Sequence, residues 1–113
     1  MIEQVRPADL DVWIQSQGGG SPPVVLDVRE PWEVQAASVK PEGFELLTIP
    51  MNQLPGRIGE LDAHRPVAVL CHHGMRSQRV AIFLEGNGFG RLANIAGGID
   101  AWSGERDPAV PRY

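Results

Sequence analysis

Short runs of consecutive apolar residues alternate along this 113-residue chain with stretches of helical periodicity. Wholly apolar runs of this kind are typical of strands that are covered on both faces, as in a parallel sheet. The predicted strands are residues 24–26, 46–49, 67–70 and 91–95. Helical patterns separate these strands, and the alternation predicts an α/β fold with a largely parallel sheet.

Apolar residues at helical spacing mark the segments between the strands. The segment 77–85 has the clearest pattern, because its apolar residues form one stripe and Gly86 follows as an end signal. The middle segment is expected to be irregular, since it contains Pro55 and Gly56. The predicted helices are residues 7–14, 30–34, 51–61, 77–85 and 99–102.

Length and charge limit the organisation and the partners of the chain. Residues 1–113 have room for one domain with one core, with a flexible loop expected at about 17–23 and an irregular tail at about 104–113. The formal net charge of −4 disfavours binding to nucleic acids or to anionic membranes. We expect a cytoplasmic protein, because the single cysteine fits a reducing compartment and we find neither a signal peptide nor a membrane-spanning apolar stretch.

The single cysteine directly follows the strand predicted at 67–70. Cys71 opens a short polar loop, and a helix is predicted to begin behind it at Ser77. The N–H groups of such a loop and the positive end of the helix both favour a thiolate. Gly74 allows a tight turn, and Ser77 is expected to cap the helix and to donate its hydroxyl into the loop. The pattern predicts a nucleophilic Cys71 that is ionised and open to solvent.

Charged and imidazole groups accompany the cysteine. Arg76 adds a permanent positive charge that suits an oxyanion. We expect His72 and His73 to have unequal roles, because adjacent residues in a turn commonly point apart. A zinc site is not predicted, since Cys71, His72 and His73 are consecutive and known structural zinc ligands are separated by two or more residues.

Other polar residues follow the first predicted strand. Asp27 would face the same sheet edge as Cys71 and is expected to accept backbone N–H bonds at a strand-to-helix turn. Arg29 and Glu33 lie four residues apart near a helix start, which predicts a surface ion pair. The three tryptophans are interpreted as core or rim packing: Trp13, Trp32 and Trp102.

Four segments together resemble the rhodanese family of sulfurtransferases. Cys-His-His-Gly-Met-Arg-Ser at 71–77 is similar to the family's active-site loop, and Leu-Asp-Val-Arg-Glu-Pro-Trp-Glu at 26–33 to its first signature. Asn-Ile-Ala-Gly-Gly-Ile-Asp-Ala-Trp at 94–102 is similar to the C-terminal signature, and Ile49-Pro50 to the motif before the middle helix. The resemblance implies a rhodanese-like fold, which is a five-stranded, mainly parallel sheet with helices on both faces.

The resemblance also implies an activity and a set of site residues. Cys71 would take sulfane sulfur from thiosulfate or a persulfide, hold it as a persulfide and pass it to a thiol or to cyanide. A desulfurase or a sulfur-accepting protein is a further implied partner, and neither a metal nor an organic cofactor is implied. Asp27 and Arg29 would support the loop. The loop residues implied to bind substrate are His72, His73, Gly74, Met75, Arg76 and Ser77.

Two alternatives stay open beside this interpretation. Rhodanese-like domains also serve as sulfur carriers or protein-binding modules with little turnover. A cysteine phosphatase is less favoured, because its C-x5-R loop is one residue longer than the C-x4-R pattern from Cys71 to Arg76. The segment 36–43 lacks the Gly-His-Ile sequence that rhodaneses often carry, which affects the expected local geometry more than the chemistry.

Overall fold

The computed structural model describes residues 2–113 and confirms the predicted α/β architecture. The strands are β1 (Glu3–Val5), β2 (Val24–Asp27), β3 (Glu45–Thr48), β4 (Val67–Leu70) and β5 (Leu92–Ile95). The α-helices are α1 (Leu10–Ser16), α2 (Pro31–Ala36), α3 (Leu54–Arg57), α4 (Met75–Glu85) and α5 (Gly98–Glu105). Short 3-10 turns cover Pro7–Asp9, Met51–Gln53 and Ile58–Glu60, so the middle segment is irregular as predicted. No helix within residues 2–113 combines the length and apolar character needed to cross a membrane.

The five strands form one sheet in the order β1-β5-β4-β2-β3. Every neighbouring pair is parallel, so the sheet is wholly rather than mainly parallel. The central strand is β4, with Val69 paired to Leu26 on one side and to Asn94 on the other. In such sheets ligands bind beyond the carboxyl ends of the strands, which is where Cys71 follows β4.

Two apolar layers cover the two faces of the sheet, because alternate residues of each strand point to opposite faces. Ala68 and Leu70 belong to the layer covered by α1 and α5, in which Trp13 and Trp102 are buried as predicted. Val67, Val69 and Cys71 belong to the other layer, which contains residues of α3 and α4. Helices therefore cover both faces, and the Cys71 side chain lies on the same side of the sheet as α4.

Several predicted boundaries are wrong by a few residues. Helix α4 begins at Met75, two residues before the predicted start, because Gly74 occupies its N-cap with a φ of 105°. Ser77 is therefore a buried residue inside the first turn and does not cap the helix. Helix α5 extends to Glu105, into the segment that was expected to be irregular. Residues 17–23 contain no helix or strand, and the flexibility of this loop stays a prediction.

Candidate active site

The loop between β4 and α4 places the sulfur of Cys71 at the start of a helix. The backbone N–H of Gly74 donates to Cys71 Sγ at 3.0 Å. Gly74 needs to be glycine, because its φ is 105° and an added Cβ would lie 3.2 Å from the backbone nitrogen of Gly97. The N–H donor and the helix dipole are both arranged to stabilise negative charge on the sulfur.

Helix α5 fixes the other side of this loop. The carbonyl of Cys71 accepts the N–H of Ile99 at 2.9 Å, and the carbonyl of His72 accepts the N–H of Asp100 at 3.2 Å. The first two loop residues are thus bound to the backbone that carries the C-terminal signature. The active-site loop at 71–77 and the C-terminal signature at 94–102 are separate in sequence but form one structural unit around the cysteine.

Cys71 is 1% exposed, so the prediction of a sulfur open to solvent is wrong. The residue extends β4 at the centre of the sheet and packs among the apolar side chains of the layer under α4. It contributes to the wall of a surface depression of about 210 Å³, which is also lined by His72, His73, Met75 and Arg76. A reactant would reach the sulfur through this depression. Met75 is itself exposed at its rim.

A buried hydroxyl lies beside the sulfur. Ser77 Oγ is 3.3 Å from Cys71 Sγ and donates its proton to Asn94 Oδ1. Asn94 was not predicted as a site residue. The available signal was a single amide inside the otherwise apolar run that forms β5.

Imidazole and phenol rings form a stack beside the loop. The rings of His72 and His73 stack at a centroid distance of 4.0 Å, so the prediction that they point apart is wrong. Tyr113 stacks on His72, also at 4.0 Å, and sequence reasoning missed it because it lies in the C-terminal tail. Burial, followed by the charge of His73, lowers the pKa of His72. Both effects disfavour the protonated form of His72.

Arg76 is paired with Glu33, so only part of its N–H donors remain for an oxyanion. Its two terminal nitrogens donate to the two carboxylate oxygens of Glu33 at 2.7 and 2.8 Å. Glu33 also accepts the Tyr113 hydroxyl at 3.1 Å and the backbone N–H of Glu30 at 2.8 Å. The hydrogen bond from Arg76 is the main cause that lowers the pKa of Glu33 to about 2, and the same bond raises the pKa of Arg76. The charge predicted for substrate binding is therefore largely compensated.

Arg29 pairs with Asp27, so the predicted surface pair between Arg29 and Glu33 is wrong. The Arg29 guanidinium is 0% exposed and donates to the two Asp27 oxygens at 2.9 and 2.7 Å. Asp27 also accepts the backbone N–H of Arg29 at 3.1 Å, which confirms its predicted role at the turn. Further bonds run from Arg29 to the Tyr113 hydroxyl at 3.0 Å and to the carbonyl of Ala37 at 2.8 Å. Arg29 therefore ties down the segment in which the Gly-His-Ile sequence is missing.

Comparison with known proteins agrees with this geometry. A sequence profile described as a rhodanese-like domain matches residues 11–105. The chain belongs to the rhodanese-like domain family. A protein named sulfurtransferase from Allochromatium vinosum is 34% identical to this rhodanese-like chain over 87 residues, covering 77% of the chain and 78% of that protein. The crystal structure of a rhodanese-related protein from Thermoplasma volcanium is 31% identical and has a TM-score of 0.77, covering 98% of this chain and 99% of that one.

Some relatives are much longer than this rhodanese-like chain. The chloroplastic rhodanese-like/PpiC domain-containing protein 12 of Arabidopsis thaliana is 39% identical over 93 residues. The match covers 79% of this chain but 30% of the plant protein.

Within residues 2–113 there is no group of three or more His, Cys, Asp or Glu side chains placed to hold a metal ion.

The pairing of Glu33 with Arg76 predicts an acid-sensitive contribution to the stability of this rhodanese-like protein. The folded-state pKa of Glu33 is about 2, below its ordinary value of 4.5, so this contribution is present above pH 4.5 and is lost as the pH falls through 2. Glu33→Gln should lower the free energy of unfolding at pH 7 by about 1–3 kcal/mol, since solvent screens Arg76 in part. The difference from wild type should shrink between pH 4.5 and pH 2 in urea titrations followed by tryptophan fluorescence.

Glu60 provides the matched control for this titration. It pairs with Arg57 on the surface, and its side chain is 55% exposed. Glu60→Gln should leave the pH dependence of stability close to that of wild type. A Glu33→Gln curve that runs parallel to the wild-type curve from pH 5 to pH 2 would show that the Glu33–Arg76 pair does not stabilise the fold.

Proposed function

We propose that this protein is a sulfurtransferase that carries sulfane sulfur as a persulfide on Cys71. The observation that supports this most directly is the position of Cys71 Sγ, which accepts the N–H of Gly74 at 3.0 Å at the start of α4. A thiolate at this place is both a nucleophile and a stable resting point for an anion. Membership of a family that includes proteins named sulfurtransferase supports the same chemistry.

The proposed reaction has two displacement steps. The Cys71 thiolate attacks the outer sulfur of thiosulfate, a bond forms between the two sulfurs, and the S–S bond of thiosulfate breaks to release sulfite. The product is a cysteine persulfide with its negative charge on the terminal sulfur. An acceptor nucleophile then attacks that terminal sulfur and regenerates the thiolate. Cyanide as acceptor gives thiocyanate, and a thiol gives a new persulfide.

The loop residues would position the donor at the mouth of the depression. Arg76 uses one N–H of each terminal nitrogen to bind Glu33, so its remaining N–H groups are the ones available for a sulfonate oxygen. Since burial and His73 lower the pKa of His72, we expect it to act as a hydrogen-bonding group rather than as a second cation. The 113 residues contain one cysteine, so the acceptor would come from another molecule. A reducing compartment such as the cytoplasm would keep this thiol available.

Intact-mass spectrometry after incubation with thiosulfate tests the proposal. Wild-type protein should gain the mass of one sulfur, about 32 Da, and Cys71→Ala should gain none. Addition of cyanide should remove the added mass and release thiocyanate in equal amount. A wild-type protein that stays unmodified by thiosulfate and by a small-molecule persulfide would contradict the proposed chemistry.

The compensated charge of Arg76 favours a second candidate, a sulfur carrier that is loaded by a partner protein. Glu33 offsets the positive charge that would attract a doubly charged thiosulfate ion. A dedicated carrier should load slowly from thiosulfate and much faster from the persulfide of a desulfurase. The same mass measurement with both donors distinguishes the two candidates, and hydrolysis of an aryl phosphate would indicate a phosphatase instead.

A further inference from the structure

Four polar side chains form a continuous hydrogen-bonded chain behind the cysteine. We call this chain the polar relay; its members are Ser77, Asn94, Gln4 and Gln78. Ser77 donates to Asn94, Asn94 donates to Gln4 at 2.8 Å, and Gln4 donates to Gln78 at 2.6 Å. Ser77 and Asn94 are buried, so the bonds next to the sulfur are shielded from water. Such shielded bonds are electrostatically stronger than the same bonds in water.

The amide of Asn94 can take only one orientation in this relay. Its Nδ2 group has two N–H donors, and both are used: one binds Gln4 Oε1 at 2.8 Å and the other binds the carbonyl of Gly74 at 3.1 Å. A backbone carbonyl can only accept, so the reverse orientation would place two acceptors against each other. The Oδ1 atom of Asn94 therefore faces Ser77 as an acceptor.

The fixed amide settles which atom donates between Ser77 and Cys71. The Ser77 hydroxyl has one proton, and Asn94 Oδ1 takes it. Toward Cys71 Sγ, 3.3 Å away, Ser77 presents a lone pair, so the thiol S–H is the donor in this contact. This reverses the sequence-based expectation that Ser77 donates its hydroxyl into the loop. The contact stabilises the thiol, whereas the Gly74 N–H stabilises the thiolate.

We propose that Asn94 is a positioning residue which, through Ser77, holds Cys71 in its thiol form. When Cys71 loses its proton, the Ser77 hydroxyl either turns to the sulfur and leaves Asn94 Oδ1 unpaired, or keeps its lone pair against an anion. Both outcomes oppose ionisation. The inference deepens the proposed function, since it takes Cys71 as the reactive thiol, and it explains how a loop built for a thiolate avoids reacting indiscriminately.

The pH dependence of Cys71 alkylation by iodoacetamide, read by intact mass, tests this inference without a sulfur donor. Ser77→Ala removes the acceptor of the thiol proton, so the pH midpoint of alkylation should fall. If Ser77 instead donated to the thiolate, the midpoint would rise. A midpoint that rises or does not move would overturn the inference.

Asn94→Leu gives the second arm of the test. Without the Oδ1 acceptor, Ser77 is free to donate to the thiolate, so alkylation at pH 7 should be about tenfold faster than in wild type. In a Ser77→Ala background most of this acceleration should be lost, because Asn94 then reaches the cysteine loop only through its bond to the carbonyl of Gly74. An equal acceleration in both backgrounds would overturn the inference. If Asn94→Leu does not fold, as judged by circular dichroism, the Ser77→Ala midpoint still decides the question.

The other ionisable groups around the loop and the polar relay are the same in all these variants. Around the loop they are His72, His73 and Arg76, with Glu33 on α2, Asp100 on α5 and Tyr113 in the tail, and beside the outer end of the polar relay there is Arg79 on α4. A shift on changing Ser77 or Asn94 therefore reports the relay. Failure of the proposed sulfur transfer would appear separately, as normal alkylation without a gain of sulfur mass from any donor.

Discussion

Arg29→Met should lower the free energy of unfolding by about 3–5 kcal/mol. Arg29 is fully buried and Asp27 is nearly so, and their charges are satisfied by each other within the fold. Removal of the guanidinium leaves the Asp27 carboxylate buried without its counter-charge. The carbonyl of Ala37 and the hydroxyl of Tyr113 also lose a donor. Urea denaturation followed by the fluorescence of the buried tryptophans measures the loss.

A double-mutant cycle separates the interaction energy of Asp27 with Arg29 from the contribution that each residue makes by itself. Asp27→Leu alone should be as costly as Arg29→Met, because it leaves a buried cation. The double variant should lose clearly less free energy of unfolding than the two single variants lose together, since neither charge then remains uncompensated. Arg57→Met, which breaks the exposed Arg57–Glu60 pair, serves as the surface control and should be close to neutral. Additive losses in the cycle would show that Asp27 and Arg29 stabilise the protein independently.

The strands and helices that could be predicted from the sequence are those whose apolar pattern lies entirely within a few consecutive residues. The central strand β4 is wholly apolar, and α4 carries an apolar stripe that ends at a glycine. Strand β1 was missed because it has three residues, of which Val5 alone is buried, and its identity as a strand depends on pairing with the distant β5. The resemblance supplied the number of strands, which the residue patterns did not.

The side-chain partners at the site could not be predicted for a related reason. The expected pair of Arg29 and Glu33 relies on i,i+4 spacing, which brings side chains together only inside a helix. Helix α2 begins at Pro31, so Arg29 lies before it and folds back onto Asp27. Glu33 instead meets Arg76, 43 residues away in sequence, and Tyr113, 80 residues away. Contacts over such separations depend on the assembled sheet, not on local spacing.

Gly98→Ala should destabilise the protein by about 2–5 kcal/mol and slow persulfide formation about a hundredfold in the molecules that remain folded. Gly98 has a φ of 60°, and an added Cβ would lie 2.5 Å from the carbonyl oxygen of Cys71 and closer still to that of His72. Both atoms belong to the backbone, so no change of rotamer can relieve the overlap. The loop and α5 must separate, which breaks the bonds that hold the cysteine in place.

Gly43→Ala is the control that measures the backbone strain without the steric overlap. Gly43 has a similar left-handed φ of 81°, but an added Cβ there would meet no atom within 4 Å. That variant should lose about 1–2 kcal/mol from backbone strain alone and should form the persulfide at the wild-type rate. Equal losses of stability in the two variants would mean that the active-site loop tolerates the extra methyl group at Gly98. A larger loss at Gly98, together with slower sulfur loading, would instead show that close backbone contact with α5 is what holds Cys71 in position for the reaction.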